Sequence, residues 1–184
     1  MKVGIVGMGY VGLPLAVAFA EAGAEVYGVE VDPVRVAALE RGESYVEDIS
    51  SERLQATRGR FHATTRYADL AKVDAVVIAV PTPLTRNREP DLSALEDSSA
   101  RLGEVLQEGQ LVVLESTTYP GTTREKLVPI LEEHSDLVAG TGFAWSLSAA
   151  VILSAQKYGI AWFTSPASSM NSVGMSYSRA FQAR

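Results

Sequence analysis

Along the first 135 residues the apolar positions switch repeatedly between two patterns. Short continuous apolar runs at 2–7 (KVGIVG), 25–31 (EVYGVEV), 74–80 (DAVVIAV) and 110–116 (QLVVLES) have the length and enclosure of buried parallel strands. Between them the spacing becomes helical. Val11, Leu15, Ala18, Phe19 and Ala22 form one stripe of a helix that Gly23 ends. Pro14 falls in its first turn, where its missing N–H costs little. Asp32 followed by Pro33 predicts a capped helix to Leu39. Residues 42–60 are polar, with a short helix near 51–56 and a strand at 61–64. Asp91 is placed to cap a helix carrying Leu92, Leu95, Leu102 and Leu106 on one face.

The loop 81–91 holds three prolines and cannot extend the strand before it. Farther on, Thr122 and Glu125 have capping-box spacing at the start of a helix that turns Leu127, Val128, Ile130 and Leu131 inward. Pro129 is placed to kink that helix. Strands alternating with helices predict an α/β fold, a Rossmann-like doubly wound parallel sheet with helices on both faces. The pattern fades near residue 140. Residues 143–163 are largely apolar with one charge, Lys157, and 164–178 are rich in Ser and Met. This divides the chain into a nucleotide-binding domain at 1–140 and a divergent tail at 141–184. Gln156, Lys157 and Gly159 argue against a membrane span in that tail, so a core-packing helix or strand is expected, with a poorly ordered end.

Composition narrows the picture. The chain has 184 residues, 47% of them apolar, and a net charge of −6, enough for a core and unlike a general binder of nucleic acid or anionic membrane. Lys2 and the following apolar stretch mimic a secretory leader, but Gly4, Gly7, Gly9, Gly12 and Pro14 interrupt it, and a cytoplasmic protein is expected. There is no cysteine, hence no disulfide, thiolate metal site or cysteine nucleophile. All 22 acidic residues lie within 1–136. His62 and His134 are isolated, and no His/Asp/Glu grouping has metal-ligand spacing.

One motif carries chemistry. Gly7-x-Gly9-x-x-Gly12 closes the first strand and opens the first helix. In that context Gly7 makes the tight turn, Gly9 admits a pyrophosphate to the backbone, and Gly12 lets helix and strand pack closely. The helix N-terminus offers amides and a positive dipole end to the phosphates. Glu30 stands at the end of the second strand, where an acid can accept both ribose hydroxyls of an adenosine. A 2′-phosphate about 4 Å from that carboxylate would cost roughly 4 kcal/mol at an effective dielectric near 20, so NAD is expected over NADP. Arg35 would soften the preference if it turned toward the ribose. Thr82 and Thr117 lie beyond the carboxyl ends of strands, where ligands bind, although a turn or cap role is equally open for each.

Five segments, GMGYVGLPLA at 7–16, VEVDPVRVAAL at 29–39, VPTPL at 80–84, EPDLS at 89–93 and ESTTYPGTT at 115–123, resemble in order the N-terminal domain of UDP-sugar 6-dehydrogenases. The EPD and TTYPGTT segments look more like members acting on UDP-N-acetylhexosamines. The resemblance implies NAD-dependent oxidation of a sugar C6 alcohol to a carboxylate in two hydride transfers, with a UDP-sugar as substrate. It implies that Tyr10 and Val11 meet the pyrophosphate through their backbone, that Glu30 and Arg35 sit at the ribose, and that Pro81, Thr82 and Thr117 line the cofactor. Thr117 would also face the catalytic water, the one catalytic assignment. A homo-oligomer is compatible with this, and no metal, nucleic acid or membrane partner is expected.

The family's Ser-Pro-Glu-Arg segment, catalytic Lys and nucleophilic Cys are not recognisable in these residues. The expectation is therefore a truncated member whose last stretch is not family sequence and which is inactive alone. Two other readings are a dehydrogenase of the 6-phosphogluconate or hydroxyacyl type, and a non-catalytic dinucleotide-binding module associating through its tail.

Overall fold

The computed structural model describes residues 1–86, 89–115 and 121–147. Six strands form one parallel sheet: β1 Lys2–Val6, β2 Glu25–Val29, β3 Phe61–Thr64, β4 Ala75–Ile78, β5 Leu111–Leu114 and β6 Ala144–Leu147. Their order across the sheet is β3-β2-β1-β4-β5-β6. Every neighbouring pair is parallel, with Val3 opposite both Val26 and Ala75. Progression reverses between β1 and β4, and the crevice at their carboxyl ends is the place where such sheets bind ligands.

The alternation within strands builds two cores. Val3 and Ile5 of β1, Val26, Val77 and Val113 project to one face. There they meet α1 (Gly12–Glu21), Leu39 of α2 (Pro33–Arg41) and Leu54 of α3 (Ser51–Ala56). Val6, Val76, Ile78, Val112 and Leu114 project to the other. That face is covered by α4 (Ser93–Gly103) and by Leu127 and Leu131 around α5 (Val128–Ser135). This is the doubly wound arrangement that the alternation predicts.

Helix ends show why the boundaries fall where they do. Gly23, at φ +94°, closes α1: its amide donates to Ala20 O and that of Ala24 to Phe19 O, the paired bonds of a Schellman ending. The carboxylate of Asp32 caps α2 by accepting from Val34 N at 2.8 Å.

Several expectations need correction. The α1 stripe is wider than its spacing suggests: Leu13, Ala16, Val17 and Ala20 are buried, whereas Val11 and Ala22 are exposed. Val46 and Ile49, in the segment after α2, join the same cluster. Asp91 acts one residue outside α4, accepting from Ser93 N, and Leu92 holds the cap position. Thr122 makes no side-chain cap, so the capping box does not form.

The segment before α5, Thr123–Leu127, is a single turn of π-helix. An α-turn would drive the Pro129 ring into the carbonyl four residues back, and the wider π-helical turn relieves that clash. A 3-10 turn at Tyr67–Lys72 was not expected; it buries Tyr67 and Leu70 three residues apart. Beyond residue 140, Phe143 is buried and β6 pairs with β5 from Ala144. No helix among the described residues is long and apolar enough to cross a membrane. The expectations for 148–184 lie outside the described residues.

Candidate functional site

The three glycines of the first turn have different surroundings. Gly7 adopts φ +92°, and a Cβ there would stand 2.7 Å from the carbonyl oxygen of Ala79 at the end of β4. A Cβ on Gly12 would fall 1.8 Å from the carbonyl oxygen of Gly7. Both positions therefore exclude any side chain, the first by backbone conformation and contact, the second by contact alone. A Cβ on Gly9 would meet nothing within 4 Å. Gly9 is thus not needed for packing, and its bareness leaves the backbone open to a ligand.

The amides at the start of α1 are oriented for use. Gly7 N–H donates to Val29 O at 2.8 Å, tying the turn to β2. Among the described residues, the N–H groups of Gly9, Tyr10, Val11 and Gly12 make no backbone hydrogen bond. Val11, at the cap position, supplies no side-chain cap, and Tyr10 is 74% exposed. Uncapped amides at a helix N-terminus form an anion site, here walled by a turn that carries no side chain at Gly9.

Glu30 completes the second half. It follows β2 directly and is only 6% exposed. Its Oε2 accepts from Met8 N and its Oε1 from Asp32 N, each at 3.2 Å. These bonds fix the carboxylate beside the glycine turn rather than leaving it as a solvated strand end. Arg35 turns toward it, with Nη1 3.8 Å from Glu30 Oε2 and Nε 3.8 Å from Asp32 Oδ2. The guanidinium also lies over the Tyr45 ring, 5.2 Å from its centroid. Tyr45 in turn donates its hydroxyl to Met8 O at 2.8 Å. Burial, with the Glu30 charge adding to it, pushes the Tyr45 phenol up to about 12.

Gly7, Gly9, Tyr10, Val11, Gly12, Glu30 and Arg35 are thus brought to one end of the sheet. Pro81 and half-buried Thr82 follow β4 directly after the Ala79–Val80 segment that walls Gly7. Thr117 lies outside the described residues. Met8 and Tyr45 are the participants that sequence reasoning missed. Met8 acts through its backbone, which no side-chain pattern reports, and Tyr45 is a lone aromatic in a polar stretch.

His62 stacks on Tyr27, with ring centroids 5.1 Å apart, and His134 packs against Gly103; neither approaches the turn. No metal-binding group occurs among the described residues. A cavity of about 360 Å³ opens near the start of β3, between Leu39, Gly42, Leu54 and Phe61, and shares no residue with the glycine turn.

Comparison with known proteins gives a consistent picture. The sequence pattern of the UDP-glucose/GDP-mannose dehydrogenase family, NAD binding domain, matches residues 1–150. The UDP-N-acetyl-D-glucosamine 6-dehydrogenase of Pseudomonas aeruginosa is 41% identical over 138 residues, covering 74% of this chain and 32% of that protein. The crystal structure of GDP-mannose dehydrogenase from P. aeruginosa superposes with a TM-score of 0.76 at 32% identity, covering 80% of this chain and 35% of the other. An NDP-N-acetyl-D-galactosaminuronic acid dehydrogenase from Methanosarcina mazei Go1 gives 0.75 at 38% identity, covering 79% and 34%. The chain spans about a third of the length of these relatives.

Proposed function

Because the chain belongs to the UDP-glucose/GDP-mannose dehydrogenase family and carries its NAD binding domain, we propose that it holds NAD for oxidation of the C6 alcohol of a UDP-N-acetylhexosamine to a carboxylate. The observation that carries the cofactor half is the buried Glu30 carboxylate, held by two amides beside an open glycine turn. Gly9, Tyr10, Val11 and Gly12 bind the pyrophosphate through their amides. Glu30 accepts the ribose hydroxyls and repels a 2′-phosphate, and Arg35 offsets part of its charge. Pro81 and Thr82 border the nicotinamide half, and Thr117 lines the cofactor and the catalytic water.

The choice of an N-acetylhexosamine rests on the EPD and TTYPGTT segments and on the name of the P. aeruginosa relative. When bound, the dinucleotide accepts hydride from the sugar carbon. We further propose that the family domain, expected over 1–140 and matched by the family pattern to residue 150, is followed by a divergent tail, with a cytoplasmic setting and NAD binding without turnover by these 184 residues alone. The lack of any cysteine removes the thioester route of the second oxidation, and without a recognisable Ser-Pro-Glu-Arg segment or catalytic Lys the first has no acid/base group, which together support the last point.

Calorimetric titration tests the proposal. The parent chain is expected to bind NAD at least tenfold more tightly than NADP, and Glu30→Ala to weaken NAD by tenfold or more. Undetectable binding of NAD to the parent overturns the cofactor assignment. Reduction of NAD by the pure chain with UDP-N-acetylglucosamine overturns the expected inactivity.

A further inference from the structure

We propose that Tyr45 is a positioning residue for the dinucleotide, its hydroxyl fixing the phosphate-binding turn and its ring supporting Arg35 beside the ribose acid. The inference rests on NAD occupying the glycine turn and adds a residue that the motif does not contain.

The argument begins with Met8. Its two peptide units are held from outside the turn by different side chains. Its N–H donates to Glu30 Oε2, and its carbonyl accepts from the Tyr45 hydroxyl at 2.8 Å. In a trans peptide the C=O and the following N–H point opposite ways. Drawing Met8 C=O toward Tyr45 therefore aims the Gly9 N–H away from it. That amide has no backbone partner among the described residues, and Gly9 lies on the open side of the turn. Gly9, unlike Gly7 and Gly12, is not hemmed in by neighbouring backbone, so the Met8–Gly9 peptide takes its orientation from the Tyr45 tether.

The ring does a second job. Arg35 is half exposed, and a long side chain at 3.8 Å from two carboxylates has many alternative positions. Packing the guanidinium over the Tyr45 ring narrows them. One side chain from the segment between α2 and α3 thus connects the phosphate end of the site to the ribose end. Because the phenol is pushed up to about 12, it stays an O–H donor over the range in which the protein would be handled.

Two variants separate the jobs. Tyr45→Phe keeps the ring and removes the hydroxyl; Tyr45→Leu removes both. Binding of NAD and ADP-ribose is measured by calorimetry and of adenosine by NMR titration, with melting curves to verify folding. Tyr45→Phe is expected to weaken NAD and ADP-ribose roughly three- to tenfold, the worth of one hydrogen bond, and to leave adenosine unchanged. Tyr45→Leu is expected to weaken all three. A merely structural role would not distinguish ligands with phosphate from adenosine. Equal NAD affinity in parent and Tyr45→Phe, or equal losses for all three ligands in Tyr45→Phe, overturns the role of the hydroxyl. Identical behaviour of the two variants overturns the role of the ring. A parent that binds no NAD overturns the cofactor assignment itself, and this inference with it.

Discussion

Gly9 and Gly12 stand three residues apart in one turn, yet they answer to different constraints. An added methyl at Gly12 meets a backbone oxygen at 1.8 Å, and neither α1 nor β1 can move without disturbing a buried cluster. Gly12→Ala is therefore expected to destabilise the fold by about 1–3 kcal/mol, as overpacking does, measured by urea unfolding. Gly9→Ala meets open space. It is expected to change stability by less than about 0.5 kcal/mol while weakening NAD severalfold, because the methyl occupies the phosphate approach. Equal stability losses in the two variants would contradict this division of labour. Glu30 and Arg35 belong to the same scale. The acid was readable from its distance behind the glycines, whereas its engagement by Met8 N and Asp32 N was not, since those bonds depend on the folded positions of two loops.

At the scale of elements, α5 is the informative case. Leu127 and Leu131, both without exposed surface, lie on either side of the junction between π-helical turn and α-helix and anchor it to α4 and the sheet. Leu131→Ala is expected to cost about 2–5 kcal/mol in denaturant unfolding, far more than replacing exposed Glu133. The apolar spacing made these inward positions legible, but it could not reveal the turn of π-helix that precedes Pro129. The 3-10 turn at 67–72 did leave a trace, Tyr67 and Leu70 at a spacing of three, but a six-residue element falls below any helical window. Strand β6 was legible only as a core-packing helix or strand. AWSL has neither alternation nor a β-branched run, and its place is set by backbone pairing to β5 from Ala144 onward. The four inner strands, by contrast, are short apolar runs because both their faces are covered, and the sequence shows this directly.

At the scale of the whole molecule, Tyr45 and Tyr67 pack against opposite cores, yet burial pushes both phenols up to about 12. A raised phenol means that the folded state holds the proton more tightly than the unfolded one, whose tyrosines ionise near 10. The resulting stabilisation is complete below pH 10 and is lost as pH rises from 10 through 12. Circular dichroism melts across that window should show falling stability in the parent and a shallower fall in Tyr45→Phe and in Tyr67→Phe. A parent whose stability stays level to pH 12 would count against both assignments.

The strand order also has a kinetic consequence. Residue 2 pairs with residue 25, but residue 3 must also find residue 75 on its other side. Closing the longer loop costs about 1 kcal/mol more in chain entropy, so β1, α1 and β2 are set to associate before β4 arrives. The wall of the glycine turn at Ala79 comes with that later strand. A chain caught between the two events would have its glycine motif, its first helix and Glu30 in place and still lack the Ala79 wall of the turn. On the proposed binding mode this order predicts that competence to hold the dinucleotide arises late in folding, with a bound dinucleotide acting as a clasp on the last-formed part of the sheet; NAD binding that appears before β4 amides gain exchange protection would contradict it.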